Sequence, residues 1–414
     1  MTDGPDGEGR PQLERRLGTA DAVVMGLGSM VGAGVFAALA PAAAAAGSGL
    51  LISLAGAAVV AYFNATSTAR CAARYPESGG AYVYGRKRLG EFWGYLAGWG
   101  FVVGKTASCA AIALIVGSYA WPARSHAIAV VAVIALTALN CTGIQKSLRV
   151  TRIIVTVVLA ALTGVAVVAM TSPHADFGRI AIGADASVHG VLQATGLLFF
   201  AFAGYARIAT LGEEVRDPAR IIPRAIPVAL GIALIVYAVV AVALLGVLGS
   251  PQLARSAAPV ADAVRAAGLA GCEPVVRAVA VLAALGSLLS LILGVSRTTF
   301  AMARDHYLPQ QLSAVHPTFK SPYRAEIAVG LVVAVLAGTA DVRSVIGFSS
   351  FAVLVYYAIA NASAWTLRGR IVPTLGFVGC IVIALALPLS TVILGTAVLL
   401  AGAAVYPLRR GRSS

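Results

Sequence analysis

Between residues 26 and 36 the chain reads G-L-G-S-M-V-G-A-G-V-F, inside an apolar run that starts near Leu17. Each glycine costs about 1 kcal/mol against alanine in a helix interior. Gly26, Gly28, Gly32 and Gly34 therefore predict a break in this helix. A break at membrane depth frees backbone N–H and C=O groups, which hydrocarbon tolerates only where they line a cavity. Freed N–H groups at Gly32, Ala33 and Gly34 suit a carboxylate, whereas freed carbonyls at Ser29 and Met30, ahead of Val31, suit an ammonium group. A second apolar segment reads F-F-A-F-A-G-Y-A-R over residues 199–207, where Gly204 among aromatics predicts another break. It adds Phe200, Phe202, Ala203, Gly204 and Tyr205 to the candidate binding set, with the Phe202 and Ala203 carbonyls facing the same ammonium. A ligand that carries both groups is an amino acid.

Three charged residues accompany these breaks. Lys105 lies about 13 residues into its apolar run, roughly 20 Å deep at the helical rise. That is too deep for easy snorkelling, and an ionisable residue at such depth marks a functional element. Lys105 is read as a proton-coupling element or a fixed cation, against the alternative of a structural lysine that caps freed carbonyls. Arg207 follows Gly204 closely and is placed to close a gate against Asp21, or to extend along its own stem to the membrane surface. No Asp or Glu falls in the middle of any apolar run, so a cationic side chain finds no counter-ion. The expected ligand is a small or neutral amino acid.

The elements that must position these residues are membrane helices. Of 414 residues 59% are hydrophobic and only 12% charged, and the mean hydropathy is +0.87. At about 20 residues per crossing, the apolar runs make about twelve spans. Span 1 covers residues 17–40 and ends at Pro41; spans 2 to 5 cover 49–69, 92–119, 127–139 and 153–170. Spans 6 to 10 cover 191–212, 227–248, 275–301, 325–340 and 345–367, and two more occupy 371–387 and 389–406. Residues 1–16 form a polar tail with disordered composition, and residues 407–414 form a basic one. The loop 70–91 is expected as an ordered amphipathic turn, and 249–274 as an external segment with a short helix over the outer mouth.

Net charge is +14, but its placement matters more than its sum. If the N-terminus is cytoplasmic, the outer loops hold only Arg124, Arg179, Arg255, Arg265, Arg277 and Arg343, and nearly all other basic residues lie inside. This predicts a multi-pass protein of the cytoplasmic membrane with both termini cytoplasmic. Nucleic acid is then unnecessary as a partner, and the lipid bilayer takes that place.

Four stretches carry a family resemblance: residues 26–36, Y-P-E-S-G-G-A-Y-V-Y at 75–84, F-F-A-F-A-G-Y at 199–205 with E-E-V-R-D-P-A-R-I-I-P at 213–223, and R-T-T-F-A-M-A-R-D at 297–305. In this order they resemble the amino acid-polyamine-organocation transporters. The resemblance implies an all-α LeuT-type fold with inverted repeats over 17–171 and 189–367, helices 1 and 6 broken, and two added helices over 371–406. It implies secondary active transport, with the carboxylate at Gly32, Ala33 and Gly34 and the amine at Ser29 and Met30. One of Phe200 and Phe202 would gate the site. Several proton-coupled relatives carry a lysine in span 5, where this chain has Val158, so Lys105 is the expected substitute. Sodium, with Ser287 and Ser290 as oxygen donors, is the less favoured coupling ion, because such serines usually bond to their own helix.

Other chemistry finds little support. Cys71, Cys109, Cys141, Cys272 and Cys380 have no metal-ligand spacing and predict no disulfide. His126, His174, His189, His306 and His316 fall in or beside loops, and no phosphate-binding G-x-x-x-x-G-K occurs. No metal, cofactor or enzymatic activity is expected. The alternatives are an amino acid or amine exchanger, an ethanolamine or polyamine permease, a transporter-like sensor and a membrane enzyme.

Overall fold

The computed structural model describes residues 17–32, 34–75, 77, 79–142, 148–209, 215–319 and 321–410. The expected tail 1–16, Ala33 of the first break, Glu213, Glu214 and the last residues 411–414 lie outside that set. The helices are α1 Thr19–Met30, α2 Gly34–Ala37, α3 Leu39–Ala46, α4 Leu50–Arg74, α5 Ala81–Leu89, α6 Glu91–Ala120, α7 Ser125–Cys141, α8 Leu148–Thr171 and α9 Val188–Phe202. They continue as α10 Ala206–Ala209, α11 Pro218–Arg255, α12 Pro259–Ala266, α13 Glu273–Arg304, α14 Tyr323–Thr339, α15 Val342–Trp365, α16 Ile371–Leu385 and α17 Leu389–Arg410. Among the described residues ten helical stretches are long and apolar enough to cross a membrane, and α14 and α16 are shorter, at 17 and 15 residues. The chain is a polytopic helical membrane protein, because in lipid only helices or closed barrels satisfy the backbone internally.

Helices α6 and α15 are the most enclosed, whereas α7, α8 and α17 keep most of their surface outward. That difference follows from side-chain type. Helix α6 buries glycines and alanines along much of its length, which lets neighbours approach closely. Helix α7 turns Val131 and Ile134 outward, as a lipid-facing helix does.

Two expectations need correction. Pro41 does not end span 1: it sits in the first turn of α3, where a missing N–H is tolerated, and the helix runs on to Ala46. The turn comes instead at Gly47, whose φ of +54° lies in the left-handed region,. The loop 70–91 is more than a turn, because α5 forms with Tyr82 and Tyr84 buried and with the Ala81 N–H donating to the Tyr356 hydroxyl at 2.9 Å. The segment 249–274 carries the short helix expected of it. Helix α12 buries Val260 and Val264, and the Val260 N–H donates to the Tyr119 hydroxyl at 3.3 Å.

Helices α4, α15 and α16 are joined by a buried polar contact. The Asn361 amide donates to Asn64 Oδ1 at 2.6 Å, and the Cys380 thiol reaches the same oxygen at 3.2 Å. Both asparagines are fully buried. Hydrogen bonds between membrane helices contribute about 0.6 to 2 kcal/mol. Asn64→Ala is expected to cost about 1 kcal/mol, read as a lower thermal midpoint in detergent, whereas an unchanged midpoint would show the pair to be idle.

Candidate functional site

Both predicted breaks form, and they touch. Helix α1 ends at Met30, the Val31 N–H bonds back to the Leu27 carbonyl at 2.8 Å, and the helix resumes at Gly34. Helix α9 tightens into a 3-10 turn over Ala203–Tyr205 before α10 resumes. A Cβ on Gly204 would stand 2.6 Å from the carbonyl carbon and oxygen of Ser29 and 2.8 Å from the Met30 nitrogen. A Cβ on Gly34 would stand 2.7 Å from Ala201 Cα, and one on Gly32 2.0 Å from Ser287 Oγ. The α1 break is thus wedged between the second break and α13, and its glycines serve close approach as well as flexibility.

A cavity of about 440 Å³ begins at these breaks. Ser29, Met30, Gly34, Ala203 and Gly204 line its head, with Phe200 and Lys105 beside them, and its wall continues to Tyr82 and Arg86 on α5 and Arg304 and Asp305 at the end of α13. Toward α12 the bundle is filled. The Tyr237 hydroxyl donates to the Ala201 carbonyl at 3.0 Å, and Phe36 meets Tyr119 edge-on at 5.6 Å. A second cavity of about 110 Å³ lies among α1, α8 and α13, lined by Gly28, Ser29, Thr151, Arg207, Ser287 and Arg297.

The remaining expected residues separate. Lys105 is buried and donates from Nζ to the Ala203 carbonyl at 3.3 Å, an oxygen that the Tyr357 hydroxyl also reaches at 3.4 Å. Phe202 is turned away from the cavity onto Tyr237, with ring centroids 5.1 Å apart, and Tyr205 stacks on Tyr357 at 5.2 Å. Val31 and Gly32 are buried in packing. Asp21 is not matched with Arg207. It accepts the Gly18 N–H at 3.1 Å and pairs with Arg152 on α8, since the first turn of α1 packs on that helix, while Arg207 lines both cavities. Ser290 bonds back to Gly286 as such serines do, but Ser287 bridges to the Gly28 carbonyl at 2.9 Å.

One cluster escaped the reading of site residues. Asp305 Oδ2 accepts the Tyr82 hydroxyl at 2.5 Å and Arg86 Nη1 at 2.9 Å, joining α5 to the end of α13 beside the cavity. Both sequence stretches had been singled out, but nothing in either indicates that they meet. The next residue, His306, has φ +64°, and the Tyr307 N–H bonds back to Met302 at 2.9 Å. A left-handed residue is how many helices end, which accounts for the turn after the R-D pair.

Comparison with known proteins gives the family. A family model described as amino acid permease matches residues 17–409. The chain is similar to an uncharacterized transporter of Mycobacterium tuberculosis, at 68% identity over 405 residues, 96% of this chain and 92% of that one. It is similar to the branched-chain amino acid permease BcaP of Bacillus subtilis, at 28% identity over 440 residues, 96% of this chain and 93% of the relative. Cationic amino acid transporter 4 of Homo sapiens is 29% identical over 385 residues, 86% of this chain and 60% of the relative.

Proposed function

We propose that this chain, which belongs to the amino acid permease family, carries an amino acid across the cell membrane by alternating access. The single observation behind the reading is that two helix breaks, far apart in sequence, meet at the head of a cavity that continues to one face of the bundle. The ligand's carboxylate meets N–H groups around Gly32 and Gly34, and its amine meets the carbonyls of Ser29, Met30, Phe202 and Ala203. Charge placement makes the α5 face cytoplasmic, so this conformation is open to the cytoplasm and closed outside by Tyr237, Tyr119 and α12.

No carboxylate stands at the head of the cavity among the described residues, which speaks against cationic side chains. The names of the relatives divide on this point, the Bacillus subtilis one being a branched-chain permease and the human one a cationic amino acid transporter. Transport is driven by a proton gradient, with Lys105 either loading the proton or standing as a fixed cation.

Uptake of a panel of labelled amino acids into proteoliposomes, with an imposed pH gradient and with or without sodium, tests this. The expected result is uptake of at least one amino acid that follows the pH gradient without sodium. Movement only into preloaded vesicles would replace symport by exchange. No movement of any amino acid in either setting would overturn the permease reading.

A further inference from the structure

Among the described residues Lys105 has no anionic partner. It is 6% exposed and makes one hydrogen bond among the described residues, to the Ala203 carbonyl, although an ammonium carries three donors. The acidic residues on the same cavity wall are already engaged: Glu77 pairs with Lys87, and Asp305 with Arg86. The other charged groups along the wall, Arg207, Arg297 and Arg304, are cations. Among the described residues, the Cys109 thiol on its own helix lies close enough to act on Lys105, and the Tyr357 hydroxyl shares the Ala203 carbonyl with it.

Helix α6 turns Phe101, Lys105, Ser108 and Ile112 toward the cavity. Spacings of three and four residues put them on one helical face. Ser108 is held by Ser349 at 2.5 Å, so the ammonium is the one charge in a wall otherwise made of a ring, an aliphatic chain and an engaged hydroxyl. That wall faces the substrate's side chain if the breaks hold its α-carboxylate and amine. A buried ammonium without a counter-ion is costly, and the cost is offset when the anion arrives. The α-carboxylate is already assigned to the first break.

We propose that Lys105 is the counter-ion for a second carboxylate, so that the substrate is an amino acid with an acidic side chain, of the aspartate or glutamate type. This rests on reading the two breaks as the site for the α-carboxylate and amine. It replaces the small or neutral class expected from the sequence, since a neutral side chain leaves the ammonium without an anion.

The test is binding to the full-length protein in detergent, by calorimetry, of L-aspartate, L-glutamate, L-asparagine, L-glutamine and L-leucine. The acids are expected to bind at least about tenfold tighter than their amides, the order expected of a charge-assisted contact in a desolvated site. Lys105→Gln is expected to remove that preference, so that acid and amide bind alike, and its thermal midpoint and monodispersity in detergent report that the variant is folded. Leucine or the amides binding as tightly as the acids would overturn the inference and leave the permease reading standing. Equal losses for acid and amide in Lys105→Gln would overturn it too, since a structural lysine predicts that. If the variant fails to fold, the ranking on the unmodified protein decides. Binding of none of the five would sink the inference and count against the permease reading together.

Discussion

Gly204→Ala is expected to reduce uptake by about a hundredfold or more at equal protein in the vesicle, the scale on which a misplacement of about 1 Å acts. The added methyl would lie 2.6 Å from the Ser29 carbonyl and 2.8 Å from the Met30 nitrogen. These are backbone atoms of the opposing break and cannot swing aside as the end of a side chain can. The two breaks must therefore separate, which moves the carbonyls of Ser29 and Ala203 apart where the amine is to bind. Gly164→Ala is the control, since nothing stands within 4 Å of a Cβ there, and alanine is the better helix former. Initial uptake rates of both variants, with monodispersity checked in detergent, decide the matter. A Gly204→Ala rate within twofold of the unmodified protein would remove the paired breaks from the mechanism.

Asp305→Ala is expected to slow uptake by about tenfold while leaving substrate affinity in detergent within a factor of about two, since a residue outside the binding head acts on passage and not on the ligand. One carboxylate oxygen accepts both the Tyr82 hydroxyl and the Arg86 guanidinium, and so ties α5 to the end of α13 where the cavity reaches that face. The two charged side chains are 34% and 27% exposed, so the pair is worth less than a fully buried one. Hydrogen bonds to a charged group are worth about 1.5–3 kcal/mol when buried, and exposure brings this pair to about 1–2 kcal/mol, where about 1.4 kcal/mol corresponds to tenfold. Tyr82→Phe removes only the hydroxyl and is expected to have the milder effect, about twofold to threefold. Binding and initial rates measured side by side separate the outcomes. A parallel loss of affinity would place Asp305 in the binding site, and no loss of rate would show the tie to be idle.

Much of this molecule is legible in its sequence because lipid restricts what a chain can do. Apolar length marks the spans, and glycine in a span marks a break. An ammonium about 20 Å into an apolar run marks an unusual residue. Residues 26–36, Gly204 and Lys105 stand out by composition and depth, and the structure brings them to one cavity, with Lys105 on a carbonyl of the second break.

What the tertiary structure decided is which side chain faces which neighbour. Phe200 and Phe202 looked equivalent, yet a helix turns about 100° per residue, and only Phe200 lines the cavity while Phe202 packs on Tyr237. Asp21 and Arg207, expected as a gate pair or else with Arg207 extended to the membrane surface, are not paired with each other in this conformation, where the packing of α1 on α8 gives Asp21 to Arg152. The tie from Tyr82 to Asp305 crosses 223 positions of sequence. A helical period shows which residues share a face. The rotation and neighbour of each helix come from the packing of all of them, and on that the order of residues along one helix is silent.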